Sequence, residues 1–103
     1  MEEQLFSDKI AAQNNVPKLF SQDGHEPPTA YLKFFDELSY WTWYVLEAEK
    51  QGDGDYMFYG YVEGLVNELG YFSLSDLNSI NEKCTRVRRD YHFKPTPLAQ
   101  IIK

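Results

Sequence analysis

The sequence predicts one α+β domain, in which a small antiparallel β-meander sheet packs against one or two short helices. The chain has 103 residues, which is enough for one hydrophobic core and too few for two. Aromatic residues make up 17% of it, and their large rings supply core area that a short chain otherwise lacks. Several segments with strand-like composition precede one strong helix signal, which is the order expected of an α+β fold.

The chain is predicted to have two parts: residues 1–16 form an N-terminal extension or a short helix, and residues 17–103 form the α+β domain. Apolar side chains recur at helical spacing in the first part, but no strong N-cap precedes them. Pro17 is expected to follow the end of this helix, so an extended segment and a polar loop lead into the sheet. The side chains expected to point inward are Leu5, Phe6 and Ile10.

Three strands are predicted, at residues 31–35, 41–47 and 56–62, because each segment is rich in aromatic and β-branched residues. A stretch of Gly and Asp at 51–55 lies between the last two, and such residues tolerate the positive φ angles of a tight turn. The strands should therefore run antiparallel, with a polar hairpin tip. Alternation puts large apolar side chains on both faces of the sheet. Either helices cover both faces, or one face presents a tyrosine-rich surface.

A fourth strand is predicted at 69–72, followed by a helix that starts at Ser73. Ser73 and Asp76 have the spacing of a capping box, in which each side chain bonds to the backbone of the other. Cys84 would then be a small core residue rather than a nucleophile, because it continues the apolar stripe of this helix. The predicted stripe consists of Leu74, Leu77, Ile80 and Cys84.

The C-terminal part is predicted to contain a further strand at 85–94 and a helical turn at 98–102. Asp90 and His92 would lie on the same side of this strand, where a carboxylate can orient an imidazole. No nucleophile completes such a constellation, so no catalytic residue is assigned and an enzyme is not the favoured interpretation.

The sequence predicts neither a metal site nor an organic cofactor. One Cys and two distant His cannot supply a zinc site. Asp53 and Asp55 begin like a calcium loop, but Gly64 stands where a bidentate glutamate is required. Gly60 and Gly64 lack the setting of a dinucleotide fingerprint, and we expect them to relieve crowding in an aromatic sheet.

The net charge of −6 is unevenly distributed along the chain. Residues 1–69 hold 13 Asp and Glu against 4 Lys and Arg, whereas residues 70–103 hold 3 against 6. The acidic part should repel phosphates, so nucleic-acid binding is not expected. Two interpretations stay open for the carboxylates: they solubilise exposed edges, or they form an acidic face for a basic partner. The residues that would form this face are Glu47, Glu49, Asp53, Asp55 and Glu63.

A second candidate binding group consists of Arg89, His92 and Lys94. Phe93 is expected to anchor this segment to the sheet and leave the three polar side chains available to a ligand or partner. The alternative is that Arg89 and Lys94 bridge to the acidic strands, where exposed ion pairs contribute only ~0–1 kcal/mol.

A cytoplasmic protein without membrane contact is expected. No apolar stretch follows a basic N-terminal segment, and a single cysteine cannot form an intramolecular disulfide. No apolar run approaches the roughly 18 residues that span a bilayer.

Five separated motifs resemble the uncharacterised bacterial and phage family known as domain of unknown function 2958, and they occur in the same order as in that family. Their sequences include PKL, LKFF, WTWY, FYGYVEG and RDYHFKPTPL, and they run from Pro17 to Leu98, so that residues 1–16 lie outside them. The resemblance implies a context rather than a reaction, because such proteins look like accessory cargo of plasmids, conjugative elements and phages and bring no catalytic residues.

What the resemblance implies about function is a binding module that modulates a host or element-encoded protein with a basic surface, for example by inhibiting a defence nuclease. Two alternatives stay open. One is a small intracellular enzyme or nucleotide- or nucleic-acid-binding domain that uses residues 89–94. The other is the antitoxin-like partner of a two-gene module.

Overall fold

The computed structural model describes residues 4–22, 28–84 and 86–102, and its centre is an antiparallel sheet of five strands. Within these ranges, seven strands and three helices are formed. In chain order they are α1 (Asp8–Gln13), β1 (Thr29–Ala30), β2 (Leu32–Asp36), β3 (Thr42–Lys50), β4 (Tyr56–Glu63), β5 (Asn67–Ser73), α2 (Leu74–Lys83), β6 (Val87–Arg89), β7 (Thr96–Pro97) and α3 (Leu98–Ile101).

The strand order in the main sheet is β5-β4-β3-β2-β6, and every neighbouring pair is antiparallel. Strands β2 to β5 follow one another as the predicted meander, and β6 returns to pair with the outer side of β2. Strands β1 and β7 form a second, two-stranded sheet. The predicted α+β fold is therefore confirmed. The hairpin tip between β3 and β4 is a turn in which Gly54 has a positive φ of 89°.

One face of the sheet carries the main core, which α1 and α2 cover. Phe34 and Phe58 are completely buried there, and their rings meet edge to face at 5.8 Å. The predicted inward side chains of the N-terminal segment, Leu5, Phe6 and Ile10, all join this core. The expectation that this helix lacks a cap is wrong, because Ser7 Oγ accepts a hydrogen bond from the backbone N–H of Ile10.

The opposite face carries a smaller core, which α3 and the chain before it cover. Ala30, Leu46, Tyr61 and Leu98 are buried in it, and Tyr44, Tyr59, Phe93 and Ile101 pack around them. Both faces of the sheet are thus covered near its centre, which is the first of the two alternatives that the apolar pattern left open. The alternation is interrupted once, by a bulge between Val45 and Glu47 on β3.

Helix α2 begins with the predicted capping box, in which Ser73 and Asp76 each bond to the other's backbone N–H. Leu77 is buried under the helix. The prediction for Cys84 is wrong: this residue is exposed and lies just beyond the last helical residue. The helix stops there because Asn81 accepts the N–H groups of Arg86 and Val87 and turns the chain into β6.

Two other predictions about local structure need correction. The strand predicted at 85–94 contains only β6, because Asp90 Oδ1 accepts the backbone N–H of His92 and forms a turn. The segment before the predicted polar loop is not extended throughout, since Phe20 has a positive φ of 68°. Most of that loop, residues 23–27, lies outside the described residues. None of the helices described is long and apolar enough to cross a membrane.

Candidate binding surface

Two turns lie side by side at one end of the main sheet. One turn joins β2 to β3 and the other joins β4 to β5, and they are neighbours because Thr42 pairs with Glu63. Between them is an open groove of about 400 Å³. We call it the turn-end groove; its lining residues are Leu38, Ser39, Tyr40, Trp41, Glu63, Gly64, Leu65 and Asn67.

Large apolar side chains around the turn-end groove are exposed to solvent. The exposed fractions are 69% for Leu38, 100% for Tyr40 and 93% for Leu65. A single exposed apolar residue is ordinary, but several around one concave site are typical of a surface that another molecule covers. The groove is therefore the strongest candidate for a binding surface among the described residues.

Asp36 fixes the conformation of the first turn. Its Oδ1 accepts the N–H groups of Leu38 (2.9 Å) and Ser39 (3.3 Å), while its Oδ2 accepts a hydrogen bond from Nε of Arg86 (2.9 Å). Burial alone would raise the pKa of Asp36, but these donors outweigh it and hold the pKa below its usual range. The carboxylate therefore stays ionised at neutral pH and keeps Leu38 turned out of the core.

Gly64 in the second turn makes room for Trp41 in the lining of the groove. A Cβ atom at Gly64 would lie 2.5 Å from the indole ring of Trp41, so only glycine fits without displacing the ring. Gly60 has the same kind of constraint, since its Cβ would overlap the carbonyl oxygen of Tyr44. The prediction that both glycines relieve crowding in the aromatic sheet is confirmed.

Glu63 connects the groove to the second face of the sheet. Burial and the neighbouring carboxylate of Glu63 together raise the pKa of Tyr44. Phe93 packs against the same ring at 5.9 Å, and the ammonium group of Lys33 lies 5.6 Å from its centroid. Glu63 is thus the acidic residue of the groove lining, and it lies next to Tyr44.

The structure separates the residues predicted to form one acidic face. Glu49, Asp53 and Asp55 lie at the hairpin tip, at the opposite end of the sheet from Glu63. Glu47 has to be removed from the group because it is buried. Its carboxylate accepts the N–H groups of Phe20 and Gln22, both at 2.8 Å, and so holds a distant loop against β3.

Asp55 is also occupied within the fold. The hydroxyl of Ser75 donates to its Oδ2 (2.7 Å) and the backbone N–H of Ser75 donates to its Oδ1 (3.1 Å). The hydrogen bond from the hydroxyl is the main reason that the pKa of Asp55 lies below its usual range. These bonds join the hairpin tip to the first turn of α2, so Asp55 is a structural residue of the tip.

The structure does not bring Arg89, His92 and Lys94 onto one face of the sheet. Arg89 ends β6 opposite Phe34 of the main core, whereas His92 and Lys94 flank Phe93, which packs on the second face. The guanidinium group of Arg89 stacks on the ring of Tyr91 at 4.5 Å, while His92 and Lys94 are exposed. Phe93 anchors the segment against the second face, as expected. Of the neighbouring arginines, Arg86 pairs with Asp36 and Arg88 pairs with Glu37.

The sequence did not single out Leu38, Tyr40 or Leu65 as site residues. Each stands in a short connection between strands, where polar residues are the rule, and apolar residues in such a turn are a signal that could have been used. The predicted antiparallel meander already places the two turns at one end of the sheet, so what the sequence reading missed is the exposure of their apolar side chains. In the part of the chain that the structure describes, no three His, Cys, Asp or Glu side chains are grouped so that they could hold a metal ion.

Comparison with protein families returns one described as "Protein of unknown function (DUF2958)", whose model matches residues 3–102. The match covers nearly the whole chain and includes the N-terminal segment that the five sequence motifs left out. Neither the curated proteins nor the solved structures that were searched contain a match.

Proposed function

The chain belongs to the family described as "Protein of unknown function (DUF2958)", and we propose that it is a binding module whose turn-end groove takes a basic side chain of a partner protein. The observation that carries this proposal is the exposure of Leu38, Tyr40 and Leu65 around one groove whose lining includes the acidic residue Glu63. Keeping such side chains in water is unfavourable, and a partner that covers them gains roughly 25 cal/mol per Å² of apolar surface.

The chemistry of the groove favours a lysine or arginine side chain as its occupant. Trp41 and Tyr40 offer aromatic faces that attract a cation, and the apolar lining suits the methylene stem of such a side chain. Glu63 provides the opposite charge. The net charge of −6 adds long-range attraction for a basic partner, which raises the rate of encounter more than the final affinity.

Inhibition of a host defence nuclease and an origin in a mobile element stay predictions that come from the family resemblance. The proposed groove does not depend on them. A nuclease that binds DNA has a basic surface and would be one suitable partner.

The test compares three forms of the protein as bait in lysate of the source cell: the unmodified chain, Leu65→Asp, and Ile102→Asp as a matched control. Ile102 is exposed too, but it follows α3 and lies outside the groove. We expect the unmodified chain and the control to retain the same protein in stoichiometric amount, and Leu65→Asp to lose it. Melting temperatures within about 2 °C of each other would show that all three are folded.

The retained protein is then purified and titrated against each form by calorimetry. We expect Leu65→Asp to weaken binding at least tenfold, which corresponds to about 1.4 kcal/mol. Glu63→Gln should weaken binding and also reduce its dependence on salt, because a charge pair has been removed. Equal affinity of the unmodified chain and Leu65→Asp would contradict the proposal.

A further inference from the structure

Strand β5 is an edge of the main sheet, and no described residue covers it. Only β4 pairs with it, and its first five residues are exposed or half-exposed. The strand has the sequence NELGYFS, which lacks the lysine, arginine and proline that commonly protect such edges and contains one charged residue, Glu68. An open edge of this kind is a template for pairing with another strand.

The direction of the free backbone groups on this edge can be derived from Ser73. The N–H of Ser73 points away from β4, because it donates to Oδ2 of Asp76 in the capping box (3.1 Å). Backbone groups in an antiparallel strand alternate between its two sides. The N–H and C=O groups of Asn67, Leu69 and Tyr71 therefore point outward as well, and Ser73 ends the row because its N–H is already used.

We propose that two copies of this chain pair through β5, antiparallel and with Leu69 at the two-fold axis, so that the two sheets join into one of ten strands. In this register Leu69 lies opposite Leu69 of the second copy, and Asn67 lies opposite Tyr71. All three outward-pointing residues then exchange hydrogen bonds with their counterparts. The contact is the same on both copies, as a closed two-fold dimer requires.

The side chains fit this register on both faces of the strand. On the second face, Leu69 and Tyr71 are 46% and 57% exposed, and pairing covers them with the same residues of the other copy. On the main face, Glu68 lies opposite Gly70 of the second copy. A Cβ atom at Gly70 would meet no atom within 4 Å, so there is room for the glutamate stem.

The size of the contact predicts a reversible dimer rather than a permanent one. The exposed apolar side chains of two β5 strands and the adjoining Val66 cover on the order of 1,000 Å² or less, at the lower limit of specific interfaces. The net charge of −6 on each copy opposes association. Added salt should therefore strengthen the dimer, whereas it should weaken the binding of a basic partner in the groove.

The test begins with sedimentation of the full chain from about 5 μM to about 500 μM, because association depends on concentration. We expect a shift from 12.1 kDa towards twice that mass. Tyr71→Glu should weaken dimerisation at least tenfold, which corresponds to about 1.4 kcal/mol, because it places two charges in the contact. Leu38→Glu is the matched control, since it changes an exposed apolar residue of the groove, and it should leave dimerisation unchanged.

Cross-linking checks the register in a Cys84→Ser background. Leu69→Cys should form a disulfide between copies under mild oxidation, because residues opposite each other in a hydrogen-bonded pair have Cα atoms about 5.5 Å apart. Asn67→Cys should not, since its two copies would lie roughly 14 Å apart. Amide exchange adds a third measurement: the N–H groups of residues 67, 69 and 71 should gain protection as the concentration rises.

A chain that stays monomeric throughout this range, or equal cross-linking at residues 67 and 69, would overturn the proposal. The proposal would also be overturned if the chain stayed monomeric and Tyr71→Glu abolished capture of a partner protein. The β5 edge would then pair with a strand of that partner and not with a second copy. The groove is tested separately through Leu65→Asp, so either proposal can fail without the other.

Discussion

Gly60 and Gly70 face each other across β4 and β5, yet their surroundings are opposite. A Cβ atom at Gly60 would overlap the carbonyl oxygen of Tyr44 and come within 3.2 Å of the ring of Phe72, whereas one at Gly70 would meet nothing. We expect Gly60→Ala to lower the free energy of unfolding by roughly 1–3 kcal/mol, since it overfills a packed sheet. Gly70→Ala should instead be neutral or stabilise by up to about 1 kcal/mol.

Urea denaturation of both variants measures the difference. The two substitutions are chemically identical and lie at paired positions, so each is the control for the other. Similar losses in both would show that strand flexibility, and not the contact with Tyr44, is what glycine provides here.

At Asp36, stability depends on pH in a direction that the contacts define. The folded state lowers the pKa of this carboxyl below its unfolded value of about 3.9. Its stabilising contribution is therefore complete above that value and is lost as the pH falls through the lowered pKa. Asp36→Asn should cost roughly 1–3 kcal/mol at pH 7, because Arg86 loses a charged partner. The loss of stability between about pH 5 and about pH 2 should then be less steep in Asp36→Asn than in the unmodified chain.

Thermal unfolding from about pH 2 to about pH 7 tests this expectation. The pKa values of Asp8 and Asp55 are also lowered in the folded protein, so the acid-induced loss is reduced in Asp36→Asn but does not disappear. Asn78→Gln, an exposed change on α2 that alters no titratable group, is the control and should leave the profile as it is. If Asp36→Asn lost stability at low pH as steeply as the unmodified chain, this result would contradict the role assigned to Asp36.

At the scale of elements, Glu47 joins β3 to the loop that contains Phe20 and Gln22. The carboxylate accepts both of their N–H groups, and the side chain of Gln22 in turn bonds to the backbone of Leu46 and Thr29. Glu47→Ala removes both acceptors and leaves a cavity, so we expect a loss of roughly 2–4 kcal/mol.

Glu49→Ala is the matched control, because Glu49 is exposed two residues further along the same strand. It should change the free energy of unfolding by less than about 0.5 kcal/mol. The comparison needs only chemical denaturation of the two variants. A small loss in Glu47→Ala would mean that solvent replaces the carboxylate at little cost.

These elements also show what the sequence could predict. The meander and the capping box at Ser73 follow from local composition and spacing, and both were predicted within a few residues. The burial of Glu47 depends on a loop more than twenty residues away, and nothing near it in the sequence indicates that. The turn-end groove was missed for a different reason: the predicted meander already places its two turns at one end of the sheet, but the apolar residues of these turns were given no role. Cys84 was misplaced because the helical stripe was continued one residue past the end of α2.

At the scale of the whole molecule, one sheet separates two cores of unequal size. The main core joins α1 and α2 to the sheet through many fully buried side chains, including Leu77. The second core has four buried residues, and the segment from Asp90 to Ile102 closes it through Phe93 and Leu98. The two-stranded sheet and two backbone hydrogen bonds, from Leu98 N–H to the carbonyl of Pro28 and from Asp90 N–H to the carbonyl of Lys33, add to this closure. The C-terminal segment should therefore open at a lower free energy than the main sheet.

Native-state hydrogen exchange of two truncation variants tests this difference. Leu77→Ala removes a buried leucine from the main core and should lower the free energy of unfolding by roughly 2–5 kcal/mol. The amides of β3 and β4 exchange through global unfolding, so their opening free energy should fall by the same amount. Leu98→Ala removes an equally large side chain from the smaller core. It should speed exchange at residue 98, whose N–H bonds to Pro28, and at Ile102, whose N–H caps α3, and it should change the protection of β3 and β4 much less. If Leu98→Ala instead lowers the protection of β3 and β4 as much as Leu77→Ala does, the two cores unfold together. The C-terminal segment is then an integral part of a single cooperative unit.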